Sequence, residues 1–95
     1  TGAYFFQALS VLANSLLIYP NPTKGIFTIS FNTEGSDDVS ISLMDLSGKQ
    51  VIYRKMNNLS GNFEESLDIS ELADGSYLLR IESGDGSVIR RIIKE

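Results

Sequence analysis

The sequence predicts an all-β protein, a seven-stranded antiparallel β-sandwich of the immunoglobulin-like type. Three observations lead to this fold class. Apolar and polar side chains alternate in several short runs, most clearly at 27–31 and 39–43. Turn residues separate these runs about every 8–14 residues, a spacing typical of sandwiches. Between the runs there is no helical repeat of about 10–15 residues, which disfavours a parallel α/β sheet.

The predicted strands follow one another along the chain. The first is an apolar run that stops at Pro20, and the next two have alternating apolar residues. The fourth continues from a tight turn as the return strand of a hairpin, and the fifth alternates with Glu65 as an exception. The last two flank the most glycine-dense turn. We expect the strands at 16–19, 27–31, 39–43, 51–56, 63–69, 77–81 and 88–93.

Turn chemistry fills the gaps between these strands. Pro20 and Pro22 fix two φ angles ahead of Gly25. Gly25, Gly48 and Gly75 each stand where a turn needs a positive φ, a conformation that glycine adopts without steric cost. Polar residues predict further loops at 32–38 and 57–62.

The composition excludes several classes of function. The 95 residues carry 8 Lys and Arg against 12 Asp and Glu, a formal net charge of −4, so nucleic acid is not an expected partner. There is no Cys and no His, which removes disulfides, thiolate metal sites, cysteine nucleophiles and the commonest general base. The hydrophobic share of 42% and the charged share of 21% are those of one globular domain. We therefore expect neither an enzyme nor a cofactor-binding protein.

The beginning of the chain differs from the rest. The stretch 3–19 is apolar but interrupted by polar residues, and it is too short and too polar to insert into a membrane. It also lacks the basic leading region of a signal peptide. A short helix is possible here, because apolar residues recur at a rough spacing of three to four at Phe5, Leu9, Leu12 and Leu16. We interpret residues 1–15 as a linker or an expression-vector remnant, and residues 16–95 as the folded domain.

Two other kinds of site are open alternatives. Loop acids could coordinate calcium, but their spacing is not that of a regular calcium loop, and solvated turn caps are the simpler interpretation. Exposed tyrosines could form a sugar-binding platform, although Tyr77 belongs to an alternating apolar set and is expected in the core. The acids are Glu34, Asp37, Asp38 and Asp85, and the tyrosines are Tyr4, Tyr19, Tyr53 and Tyr77.

The final strand departs from simple alternation, because Arg90 and Arg91 stand side by side. Strict alternation would point one of them inward. Either a bulge separates them, or the strand lies at a sheet edge. With Lys94 these residues form a basic tail on an acidic domain. Such a tail indicates either charge protection of the edge or a displayed signal that a receptor binds.

Three blocks of the sequence, in this order, resemble a known family. They are LIYPNPTKGIF at 17–27, LMDLSGKQV at 43–51, and LADGSYLLRI at 72–81 followed by RRIIK at 90–94. Together they resemble the C-terminal sorting domain of the type IX (Por) secretion system, type A, over residues 16–95. That family is a seven-stranded immunoglobulin-like sandwich, in agreement with the strands predicted above.

The resemblance implies a sorting role. Domains of this family end secreted proteins of Bacteroidetes-type bacteria, are recognised by the outer-membrane translocon, and are commonly cleaved by a cell-surface sortase-type peptidase. The cargo fused ahead of the domain is then joined to an anionic lipopolysaccharide at the cell surface or released into the medium. The translocon would then recognise the folded shape of the domain together with its exposed last strand, and it could bind by adding a strand at the edge of that strand.

The resemblance also assigns roles to particular residues. Motif positions with mostly structural roles match Pro20, Asn21, Pro22, Gly25, Asp45, Gly48, Gly75 and Tyr77. The terminal region needed for recognition matches Arg90, Arg91, Ile92, Ile93 and Lys94.

A cleavage region upstream of the first strand would include Ala13, Asn14 and Ser15, a small and polar window typical of an exposed linker. Two alternatives to a sorting role are kept. One is a carbohydrate-binding or adhesive β-sandwich module retained on a secreted protein, and the other is a structural spacer. Neither the oligomeric state nor the identity of a cargo follows from the sequence.

Overall fold

The computed structural model describes residues 11–84 and 86–95, and it shows an all-β domain with one antiparallel sheet preceded by a helical turn at 11–15. The sheet has five strands in the order β1–β2–β4–β5, and β3 pairs with β2 beside this path. The strands are β1 (Leu17–Tyr19), β2 (Ile26–Asp45), β3 (Gln50–Asp68), β4 (Gly75–Ser83) and β5 (Gly86–Lys94).

The two long strands explain why five strands are found where seven were expected. The predicted loops 32–38 and 57–62 pair with each other, so β2 and β3 run through them. The pairing is irregular there, with register shifts between Thr33 and Ser36 and between Asp37 and Val39. The polar side chains of these stretches predicted loops, but pairing of two strands depends on hydrogen bonds between backbone groups and not on side chains. Bulges allow the pairing of β2 with β3 to continue through the irregular stretch. The two stacked sheets of an immunoglobulin-like sandwich are therefore not confirmed.

The sheet is curled so that one face encloses the core. Arg54 Nε lies 3.3 Å from Glu65 Oε2, although the two residues are 11 positions apart on the same strand. A straight strand would separate them by about 36 Å. The inner positions of both halves of β2 are buried and belong to one hydrophobic cluster: Phe27, Ile29, Phe31, Val39, Ile41 and Leu43.

The ion pair between Arg54 and Glu65 also explains the exception in the predicted fifth strand. Glu65 is opposite Ile29 and Arg54 is opposite Ile41, so both charges are on the inner face at the margin of the sheet. Their side chains keep 53% and 34% of their exposure, and such pairs contribute about 0–1 kcal/mol. Inward charges on an edge strand also discourage pairing with another chain.

The helical turn at 11–15 packs against this core. Leu12 is buried, and the hydroxyl of Ser15 accepts a 2.8 Å hydrogen bond from the backbone N–H of Asn32. Part of the expected linker at 1–15 thus contributes to the folded domain, while residues 1–10 lie outside the described residues. Among the described helices, none has the length and hydrophobicity needed to span a membrane.

Candidate recognition site at the last strand

β5 lies at the end of the sheet and is paired with β4 in an unbroken register from Gly86 to Lys94. No bulge therefore separates Arg90 from Arg91, and the edge interpretation of this strand is confirmed. Arg90 is opposite Leu79, on the inner face, while Arg91 is opposite Leu78, on the outer face. Both arginines are exposed. Arg90 is on the inner face, but because β5 is at the edge of the sheet, its long side chain can extend past the edge into solvent.

The two guanidinium groups donate hydrogen bonds to uncharged groups of the domain itself. Arg90 Nη1 donates to the carbonyl of Ile89 at 3.0 Å. Arg91 donates from Nε and Nη2 to the hydroxyl of Ser76, at 3.1 and 2.8 Å. Neither arginine has a carboxylate ion-pair partner within residues 11–84 and 86–95. These two charges are available to a partner.

The other residues of the predicted recognition set lie deeper. Ile92 is fully buried opposite Tyr77, and Ile93 is half-buried. Lys94 is 8% exposed, and its Nζ donates to Asp74 Oδ1 at 2.7 Å. A displayed basic tail was expected to include Lys94, but the alternation that buries Ile92 also turns Lys94 inward. A recognition role for Lys94 stays a prediction, and its position indicates a contribution to folding.

The outer edge of β5 is covered by the segment that follows β1. Asn21 Nδ2 donates to the carbonyl of Arg91 at 2.8 Å, and Asn21 Oδ1 accepts from the N–H of Ile93 at 3.0 Å. The N–H of Thr23 donates to the carbonyl of Ile93 at 2.8 Å, and the N–H of Glu95 donates to the carbonyl of Thr23 at 2.9 Å. Asn21 and Thr23 together replace a neighbouring strand along this part of the edge. We call the segment 21–23 the strap.

The C-terminal end of the strap is held in place by hydrogen bonds of Thr23 and by the close packing of Gly25 against the loop after β3. Thr23 is buried, and its hydroxyl donates to the carbonyl of Ile26 and accepts from the N–H of Gly25. Gly25 has a φ of +154°, and a Cβ on it would lie 3.0 Å from the Cβ of Ser70. Its carbonyl accepts a 2.6 Å hydrogen bond from the N–H of Ile69. Only glycine meets both demands at this position.

The remaining motif residues form turns and core. Asp45 Oδ1 accepts hydrogen bonds from the N–H and hydroxyl of Ser47 and from the N–H of Lys49. The hydroxyl of Ser47 is the main cause of a lowered pKa of Asp45, because it stabilises the carboxylate. Gly48 and Gly75 have the expected positive φ, at 93° and 143°. Tyr77 is buried, with its hydroxyl donating to the carbonyl of Ala73.

Comparison with protein families decides the assignment of this arrangement. The family described as the secretion system C-terminal sorting domain matches residues 17–95. The chain belongs to this family. Comparison with curated protein sequences gives no match. Membership indicates a type IX secretion sorting signal, a cargo fused ahead of it, and export toward the cell surface or the extracellular space.

The predicted cleavage region of the sorting domain is part of the helical turn. Asn14 is exposed, Ala13 is half-buried, and Ser15 is bonded to β2 through Asn32. Leu12, directly before them, is in the core. The window is therefore not an exposed linker, and a peptidase would need the turn to open before it could bind the backbone.

The structure also places the residues of the two alternative sites. Asp38 Oδ1 accepts from the N–H of Asn58, and Asp37 Oδ1 accepts from the N–H of Asp38, so both acids serve the backbone of the irregular stretch. Within the described residues no three His, Cys, Asp or Glu side chains form a metal-binding group, and Asp85 lies outside those residues.

The tyrosines do not form a shared platform in the described part of the sorting domain. Tyr19 is opposite Thr28 and Tyr53 is opposite Ser42, on different halves of the sheet. Tyr77 is in the core as expected, and Tyr4 lies outside the described residues.

Sequence reasoning missed two residues that shape the site. Asp74 was read as part of a loop and Thr23 as part of a turn, because their partners Lys94 and Ile93 are distant in sequence. The alternation along β5 could have indicated one of these contacts. Val88, Ile92 and Lys94 are all at even positions and therefore lie on the same, inner face of the strand, where the charge of Lys94 needs a partner of opposite charge.

Proposed function

We propose that this domain directs an attached cargo through the outer-membrane translocon of the type IX secretion system and is then removed by a sortase-type peptidase at the cell surface. The family match over residues 17–95 carries this proposal. The route fits secreted proteins of Bacteroidetes-type bacteria, with the cargo retained on the surface or released. In this proposal the domain is a recognised signal and has no catalytic role.

The geometry of β5 supports recognition through Arg90 and Arg91. Both are exposed and have no carboxylate partner in the described chain, whereas Lys94 is occupied by Asp74. Cleavage in this proposal occurs at or ahead of the helical turn at 11–15, because a cut there releases cargo without breaking the sheet. A carbohydrate-binding module gains no support from Tyr19 and Tyr53, which are on different halves of the sheet.

The proposal is tested with the whole chain fused to the C-terminus of a periplasmic reporter, in a bacterium that has the type IX machinery. We expect the reporter at the surface or in the medium, shorter by about one domain. A full-length reporter retained in the periplasm would contradict both the export and the cleavage, and would favour a binding or spacer module.

The recognition residues are tested in the same strain. Arg90→Glu with Arg91→Glu should reduce export while the free energy of unfolding changes by less than about 1 kcal/mol. The matched control is Lys24→Glu with Lys49→Glu, which makes the same charge change at two other exposed positions. Equal export of the two double variants would remove Arg90 and Arg91 from the recognition set.

A further inference from the structure

The outer face of the sheet carries a row of side chains across β3, β2, β4 and β5, and this row is exposed at its two ends. The register places Tyr53, Ser42, Arg80 and Ile89 opposite one another in this order, so their side chains share one face. Tyr53 is 49% exposed and Ile89 is 52% exposed. Large apolar side chains thus stand in solvent at both ends of the row, with an arginine between them.

Cations flank this row on both sides. Lys55 is two residues beyond Tyr53 on β3, and Arg91 is two residues beyond Ile89 on β5. Within this row and the rows directly beside it, Glu82 is the one carboxylate. Its Oε2 is 3.4 Å from Arg80 Nη2, a long separation for a charge-assisted hydrogen bond. Asp38 lines the same hollow as Tyr53 and Lys55 at the end of these rows. The three cations Lys55, Arg80 and Arg91 still outnumber the two carboxylates, so the face is weakly positive although the chain has a formal net charge of −4.

The edge of β5 offers less to a partner than this face does. Asn21 and Thr23 already bond the backbone of Arg91, Ile93 and Glu95, so a strand added there would have to displace the strap. Three side-chain rows on four strands give the face a size of roughly 20 by 15 Å, which is in the size range of weak, transient protein contacts.

We propose that this outer face, defined by Tyr53, Lys55, Arg80, Ile89 and Arg91, docks on a surface of the type IX translocon that has two apolar patches, facing Tyr53 and Ile89, with carboxylates between and beside them. The inference rests on the proposed sorting function and adds the docking surface and the chemistry of its partner. Exposed Ile89 favours a protein partner, because a glycan could stack on Tyr53 but would leave the aliphatic side chain of Ile89 unburied. The cations would pair with these carboxylates and speed the encounter.

The test compares two double variants of the full chain on the reporter. Ile89→Ser with Lys55→Glu changes the face, and Leu17→Ser with Lys24→Glu is the matched control. The control also replaces one exposed aliphatic residue, 59% exposed against 52%, and reverses one exposed lysine. We expect export of the face variant to fall about tenfold, and export of the control to stay within about twofold of the wild type.

The outcomes separate the two proposals. If the wild-type reporter is exported and both double variants are exported equally well, the docking face is wrong and the sorting function stands. If the wild-type reporter is not exported, the sorting function fails and the docking face fails with it.

A second measurement does not depend on the stability of the double variant. Benzoylphenylalanine in place of Tyr53, and separately in place of Tyr19, puts the same photo-reactive ring at positions of 49% and 46% exposure. We expect position 53 to cross-link to an outer-membrane protein of the type IX machinery several-fold more than position 19. Cross-links from position 53 to lipopolysaccharide, or equal yields from the two positions, would overturn the inference.

Discussion

The side-chain oxygen of Asn21 accepts a 3.0 Å hydrogen bond from the backbone N–H of Ile93, 72 residues further along the chain. With its nitrogen donating to the carbonyl of Arg91, one amide side chain provides the donor and the acceptor that a neighbouring strand would provide. The first motif of the family and its terminal strand are therefore one structural unit. A change in either is expected to disturb the other before any partner is involved.

Replacing Asn21 tests this unit. Asn21→Ala removes both hydrogen bonds, and we expect the free energy of unfolding, measured by urea denaturation, to fall by about 1–2 kcal/mol. The control is Asn62→Ala at an exposed position on β3, expected to change stability by less than about 0.5 kcal/mol. Equal effects of the two substitutions would show that the strap does not stabilise β5.

Two substitutions of Lys94 distinguish a role of this residue in folding from a role in recognition. Lys94→Met keeps the buried aliphatic stem and removes the ammonium that pairs with Asp74, so we expect export close to that of the wild type and a stability change of about 1 kcal/mol or less. Lys94→Glu places a carboxylate beside Asp74 at a buried position and is expected to destabilise by several kcal/mol. A folded Lys94→Met domain that is no longer exported would instead make Lys94 a recognition residue.

The alternation of side chains predicted most of the strand positions and much of the core. At 27–31 and 39–43 the apolar residues are the inner ones, as expected, because a buried face requires a period of two. The prediction of a loop at 32–38 was wrong, because polar side chains indicate exposure to solvent and do not show whether the backbone pairs with another strand. The curl of the sheet depends on where the ladder shifts register, and single-sequence alternation does not contain that information.

The candidate site was predicted less completely than the fold. The adjacent Arg90 and Arg91 left two alternatives open, a bulge between them or an edge position of β5, and the unbroken register with β4 decides for the edge. The partners of Asn21 and Lys94 did not follow, because local patterns are silent about contacts across 72 and 20 residues. Burial of Ile92 also means that deleting the last residues removes core, so truncation does not isolate a recognition signal.

A comparison of Gly25 with Gly75 tests the steric effect of the contact between Gly25 and Ser70. Their φ angles are 154° and 143°, but a Cβ would meet Ser70 at Gly25 and open space at Gly75. We expect Gly75→Ala to cost about 1 kcal/mol through its φ alone, and Gly25→Ala to cost roughly 1–3 kcal/mol more through the clash. Thermal or urea unfolding of both variants gives the difference. If the two variants were equally stable, the Ser70 contact would carry no steric constraint.

Two turns of the same design give the domain a defined response to acid. Asp45 and Asp68 each accept hydrogen bonds from the hydroxyl and N–H of a serine two residues on, and in both the serine hydroxyl is the main cause of a pKa below the ordinary value of 3.8. Because these pKa values are lower in the folded state, the unfolded chain binds more protons between the two values. The turns therefore stabilise the fold fully above about pH 5, and this stabilisation is lost as the pH falls through the folded-state pKa values.

Removing the serine hydroxyls tests that response. Ser47→Ala with Ser70→Ala should raise the pKa of Asp45 and Asp68 toward the ordinary value, as followed by NMR titration of their carboxyl carbons. Stability measured from pH 6 down to pH 2 should then fall less steeply than in the wild type, because less differential protonation remains. Ser87→Ala, at an exposed position on β5, is the control and should leave both titrations unchanged. Unchanged pKa values in the double variant would mean that the serine hydroxyls do not stabilise these carboxylates.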